Sequence, residues 1–216
     1  MNVLCYCEAN SKTGFGHYVR IKNLKKILNK KIKFDIVTKN KKLAKKLFKK
    51  IKIIELKNDI FNFLKHNKNR YDVVIFDPPY YPNKNNNNFN LKLKKFYQNQ
   101  EKPKIVILTD EVKATPKYCD FLINDYPGST KYTKFYKKFN NKIKLNLGIY
   151  SFLYPKKCFF KKPEKKIYDL FVAFGGSDSK NILNKFFKEI KNIRGKKIIL
   201  TNSKTYPKIR NHVDSN

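Results

Sequence analysis

The sequence predicts an α/β fold built on a parallel sheet, and three observations carry that reading. Short apolar runs alternate with stretches of helical spacing from Val3 to Asn124, the order expected when parallel strands are joined by crossover helices. Runs such as Val73-Val74-Ile75-Phe76 and Ile105-Val106-Ile107-Leu108 are apolar at consecutive positions, as strands covered on both faces are. The grammar of strand, glycine turn and helix that opens the chain returns after Lys166, which predicts a second α/β unit.

Val3 to Cys7 is the first strand. Beyond it, Val19, Ile21, Leu24, Ile27 and Leu28 fall mostly three or four apart, so a helix over 17–30 begins at about Gly16. Phe34 to Thr38, Ile51 to Leu56 and Tyr71 to Asp77 follow as strands, with helices over 40–49 and 59–67 between them. Pro78, Pro79 and Pro82 remove amide donors, and with Asn83 to Asn90 they predict an exposed loop, either a lid or surface slack. Lys104 to Thr109 and Phe121 to Asn124 are the remaining strands of a first domain over 1–158. The lysine-rich stretch 159–166, with Pro163, reads as a linker. Within 167–216, Ile167 to Phe174 is a strand, Gly175-Gly176-Ser177-Asp178 a turn, Lys180 to Ile193 an amphipathic helix and Lys197 to Thr201 another strand. The residues after Lys166 are fewer than the roughly 100 a domain usually needs, so this second domain is expected to be incomplete.

A formal charge of +34 points towards nucleic acid, because a polycation gains affinity by releasing phosphate counterions. The type of cation points away from it. Only Arg20, Arg70, Arg194 and Arg210 are arginines, and lysine lacks the planar fork used for bidentate recognition. The charge therefore reads mainly as a solvated lysine surface, with no specific nucleic-acid partner; peripheral contact with anionic lipid stays open. Cys5, Cys7, Cys119 and Cys158 show no metal-ligand spacing and no disulfide framework, and His66 and His212 stand alone among polar residues. No signal-peptide pattern and no membrane-length apolar run is present, so the cytoplasm is the default.

In an open parallel sheet the ligand crevice lies beyond the carboxyl ends of the strands, where Gly14 to His17, Asp77, Asp110 and Asn124 all fall. Gly14 and Gly16 let backbone amides approach a ligand, and His17 stands at the amino end of its helix. The positive end of the helix dipole disfavours imidazolium there and leaves a ring able to accept a proton. The alternative is a tight strand-to-helix turn with His17 as a polar first-turn residue.

Taken in order, Gly14-Phe15-Gly16-His17-Tyr18-Val19-Arg20, the Asp77 strand end, Ile107 to Glu111, Tyr118 to Asn124, Leu147-Gly148 and Phe174-Gly175-Gly176-Ser177-Asp178 form a series. It resembles the UDP-sugar hydrolases of pseudaminic acid biosynthesis and the related spore-coat polysaccharide proteins, which share the two-domain GT-B fold. The resemblance implies a GT-B-like chain whose Rossmann-type amino-terminal domain is followed by a truncated nucleotide-binding domain, the family's main uridine-diphosphate contacts falling beyond Asn216.

The family's proposed base maps to His17, which implies hydrolysis of UDP-2,4-diacetamido-2,4,6-trideoxy-β-L-altrose with inversion, without metal or other cofactor. Gly14 and Gly16 would close on the sugar and diphosphate, and Gly175, Gly176 and Ser177 would bind the diphosphate from the other side of an interdomain cleft. Asp77 and Asn124 would be sugar-facing, or else strand-end caps. The chain differs from the family at Tyr6 and Glu8, where an arginine and an aspartate are usual, and at Pro78-Pro79-Tyr80, where a histidine-tyrosine pair is usual. Three alternatives stand beside this reading: a glycosyltransferase of the same fold, a non-catalytic basic protein binding nucleic acid or a membrane surface, and an inactive fragment. Oligomeric state is not legible.

Overall fold

A computed structural model of the chain describes residues 1–9, 15–28, 31–77, 87–98, 102–110, 118–148, 151, 168–173 and 182–200. They fall in two units, the first of which carries a seven-stranded sheet and the second a two-stranded one.

In the first unit the strands are β1 (Asn2–Cys7), β2 (Lys33–Thr38), β3 (Lys52–Glu55), β4 (Val73–Asp77), β5 (Lys104–Thr109), β6 (Phe121–Asn124) and β7 (Lys144–Leu147). Helices α1 (Gly16–Ile27), α2 (Lys41–Leu47), α3 (Ile60–Asn67), α4 (Asn87–Tyr97) and α5 (Thr133–Phe139) lie between them. The sheet order is β3-β2-β1-β4-β5-β6-β7 and every pairing is parallel, which is a Rossmann-like α/β arrangement. All seven carboxyl ends therefore share one edge.

Alternation along the strands divides the core. Leu4, Tyr6, Val74, Phe76, Ile105, Ile107 and Leu122 face one layer with Ile60, Phe61 and Leu64 of α3, Leu93 of α4 and Tyr136 of α5. On the other face Phe34 and Ile36 are buried, the Lys25 ammonium of α1 lies over the Phe34 ring, and the Tyr18 hydroxyl is 2.6 Å from Thr38 Oγ1. Burial on both sides is why β1 and β4 carry consecutive apolar residues.

The six strands read from the sequence in this unit are all present, within a residue or two of the expected bounds. Three elements were not foreseen. The asparagine-rich run expected as loop becomes helical from Asn87, because Phe89, Leu93 and Phe96 recur at helical spacing and pack on the sheet. Residues 78–86, the rest of that predicted loop, lie outside the described residues. The edge strand β7 alternates exposed Lys144 and Asn146 with half-buried Leu145 and Leu147, so it shows no apolar run. Helix α5 is short and opens from a 3-10 turn, Ser129–Tyr132.

The second unit holds β8 (Leu170–Ala173), α6 (Ile182–Asn192) and β9 (Lys197–Leu200). The strands pair in parallel, and Val172, Leu183, Phe187 and Ile190 form a small core with Leu170 and Ile199 against it. Strand, helix and strand thus match the order read from the sequence. Among the described residues no helix is long and apolar enough to cross a membrane.

The start of α3 is fixed by Asp59, whose Oδ1 accepts from the Phe61 amide at 2.8 Å while Oδ2 accepts from Lys92 Nζ at 3.0 Å. Burial pushes the Asp59 carboxyl up, but Lys92 and the helix amides outweigh it and hold the pKa below its ordinary value. A group with a lowered folded pKa contributes stability above its unfolded pKa and loses it as pH falls through the folded one. Asp59→Ala is expected to cost about 1 kcal/mol at neutral pH. Urea denaturation should show that difference shrinking in strong acid; an equal difference at both pH values would refute the assignment.

Candidate active site

The strand order reverses between β1 and β4: from β1 the chain moves outward to β2 and β3, then returns to β4 on the other side. In open α/β sheets the crevice at such a reversal, beyond the carboxyl ends, is where ligands bind. Cys7 and Asp77, the last residues of β1 and β4, are register partners there.

Asp77 has 0% of its surface exposed. A buried carboxylate needs partners, and α1 supplies both. His17 Nδ1 lies 2.9 Å from Asp77 Oδ1. Arg20 donates through Nη2 to the same oxygen and through Nε to Oδ2 at 3.3 Å, a two-pronged grip on one carboxylate. His17 and Arg20 are three residues apart, so they share one face of the helix.

The tautomer follows from the partners. Nδ1 also lies 3.3 Å from Arg20 Nη2, but a guanidinium only donates and a carboxylate only accepts. One ring nitrogen cannot donate to Asp77 and accept from Arg20 together, and the shorter contact is with the carboxylate. We assign the proton to Nδ1, which in a neutral ring leaves the lone pair on Nε2. Among the described residues no hydrogen bond engages Nε2, and the His17 side chain is 14% exposed.

Arg20 links this pair to the end of β6. Its Nη1 lies 3.5 Å from both carboxylate oxygens of Asp125. Burial alone would lower the guanidinium pKa, but Asp77, Asp125 and Asp110 raise it above its ordinary value. Burial raises the Asp125 pKa, with Asp110 and Asp77 adding to the rise and Arg20 opposing it. Near β1, the Tyr6 hydroxyl donates to Glu8 Oε1 at 2.6 Å, and Lys39 Nζ stands 3.7 Å from the same oxygen. Tyr6 and Glu8 thus form a bonded pair.

The structure joins two of the residues singled out from the sequence, His17 and Asp77, and the carboxylate of Asp77 is spent on His17 and Arg20. Asn124 ends β6 with its side chain inside the protein: Oδ1 accepts from the Tyr126 amide at 3.0 Å and Nδ2 donates to the Tyr136 hydroxyl at 3.0 Å. Its carbonyl accepts from Ser129 and Ser151 hydroxyls and from the Gly148 amide. Gly148 has a φ of +83°, and a Cβ there would stand 3.0 Å from a Thr130 methyl, so the residue must stay glycine for this turn to close. Gly16 opens α1, and a Cβ there meets no described atom within 4 Å. Gly14, Gly175, Gly176 and Ser177 lie outside the described residues.

Arg20 and Asp125 are additions that the sequence reading missed. The three-residue step from His17 signalled the first, and its place directly after a strand end signalled the second. Other chemistries find less support. Burial pushes the Cys5 and Cys119 thiols up, which removes them as thiolate nucleophiles at neutral pH. Among the described residues no group of three or more metal-ligating side chains is placed to hold an ion. The arrangement suits proton transfer: an imidazole oriented by a carboxylate, with one nitrogen available. No protein-family model and no curated protein matches the chain.

Removing Asp77 leaves Arg20 buried beside a missing charge, so Asp77→Asn and Arg20→Met are each expected to destabilise the protein by about 3 kcal/mol. The double variant should cost about 1–3 kcal/mol less than their sum, because the same pair is lost only once. A double-mutant cycle by urea denaturation reads this directly. Strict additivity would show that the two groups do not depend on each other.

Proposed function

We propose that the protein is a cytoplasmic nucleotide-sugar hydrolase in which His17 activates water against the anomeric carbon of a UDP-linked sugar. The observation that carries this reading is the His17 and Asp77 pair at the strand-order reversal, in the sheet type that binds nucleotide-containing ligands at that place.

The mechanism follows from the tautomer. Asp77 accepts from Nδ1–H and so fixes the ring plane, and Nε2 takes a proton from water as the new C–O bond forms. The bond from the anomeric carbon to the diphosphate oxygen breaks, and its electron pair leaves with UDP, a stable anion that needs little help to depart. Attack from the face opposite UDP inverts the anomeric carbon and requires no covalent nucleophile. Asp77 acts through His17 and is a positioning residue. Arg20 keeps the Asp77 carboxylate in place and has no free fork for a phosphate, since its donors are directed at Asp77 and Asp125. Gly14, Gly175, Gly176 and Ser177, to which the resemblance assigns the diphosphate, lie outside the described residues.

The test is release of UDP from a set of UDP-N-acetylated hexoses by the full chain without any acceptor, with the anomeric form of the product read by NMR. His17→Ala should lower turnover by about 100- to 10,000-fold while circular dichroism shows that the protein stays folded. Asp77→Asn should lower kcat more than it alters KM and should shift the pH profile, because an amide no longer fixes one tautomer. Equal UDP release by His17→Ala would remove it from the reaction, and release that requires an added acceptor would make the protein a glycosyltransferase.

A further inference from the structure

A groove with a cavity volume of about 570 Å³ runs between α3 and α4, and no step of the proposed hydrolysis uses it. Its floor is aromatic: Phe61 is buried and its ring stands 6.2 Å from that of Phe96, which also lines the groove. Its charged lining is Lys65 on α3, Lys92 and Lys95 on α4, and the single carboxylate of Asp59. Lys92 is engaged by Asp59, whereas Lys65 and Lys95 have no ion-pair partner among the described residues.

An occupant must bring apolar surface to the floor and negative charge to both rims. A second copy of this chain is a poor choice, because 50 basic residues face only 16 acidic ones. A nucleic acid needs an open ring face on which to stack a base. The Phe61 ring is stacked on Phe76 at 5.7 Å and met edgewise by Phe89 at 5.2 Å, and the rims hold lysine without a guanidinium fork. A helix with leucine-like residues along one stripe and carboxylates beside it satisfies both demands, in the helix-in-groove mode.

We propose that the groove between α3 and α4 docks an acidic amphipathic helix of a partner protein. The probe is a fluorescein-labelled peptide of about 14 residues with leucine at helical spacing and glutamate elsewhere, titrated onto the full chain by anisotropy. Lys65→Glu/Lys95→Glu should weaken binding by about tenfold or more, while Lys45→Glu/Lys46→Glu on α2 should change it by less than about twofold. A peptide of the same composition with scrambled leucines should bind about tenfold more weakly, since it keeps the charge but not the stripe. Circular dichroism checks that both double variants stay folded. The proposal is overturned by no binding of the probe, by equal loss in both double variants, or by equal binding of the scrambled peptide. It is also overturned if an oligothymidylate or phosphatidylglycerol vesicles compete more strongly than the unlabelled peptide for the same lysines.

Discussion

A carboxylate with no exposed surface sits at the end of the strand beside β1, and the geometry around it follows from the need to pair that charge. Among the described residues its side-chain hydrogen bonds come from α1, the helix that follows β1. Two side chains one turn apart, His17 and Arg20, point at it together. A shift of α1 by a single residue would rotate both by roughly 100° and strand the charge. The same pairing gives the imidazole its tautomer, so the burial that stabilises the local fold also selects the proton-accepting nitrogen. Asp125 and Asp110 extend the network across the neighbouring strand ends and leave Arg20 committed to carboxylates.

The electrostatic character of this edge differs from that of the rest of the chain. Lysines dominate the helices, where the last turns of α1, α2, α4 and α5 each carry a pair. Those cations lie at the carboxyl ends of their helices, the favourable end of the macrodipole. Glu8, Asp77, Asp110 and Asp125, by contrast, gather where β1, β4, β5 and β6 finish. The high net charge therefore says little about the chemistry at the sheet edge.

Most of the first sheet was legible because its central strands β1, β4 and β5 are covered on both sides and carry consecutive apolar residues. β7 was not, since an edge strand with one wet face can be written Lys-Leu-Asn-Leu without any run. Helix α4 was obscured by asparagines that favour loops in isolation, although Phe89, Leu93 and Phe96 carried its true period. The candidate site was legible as a set of strand ends but not as a set of bonds. Asp77 was read as facing a ligand or capping a strand, whereas its carboxylate turns inward to a helix 57 residues earlier in the chain. Spacing along a sequence cannot reveal a partner that only the sheet order brings near. Asn124 shows the same limit, for its side chain bonds to the Tyr126 amide in the following turn and to the Tyr136 hydroxyl on α5.

The position of β1 also bears on how the protein is made. This strand is synthesised before the two strands that flank it, yet it lies inside the sheet between β2 and β4, and β4 begins only at Val73. During translation Val3 to Cys7 must wait as an unpaired apolar segment on the nascent chain, because parallel pairing cannot be completed locally. The lysines that follow it in α1 keep that segment in a positively charged neighbourhood while it waits, which opposes contact between chains growing side by side.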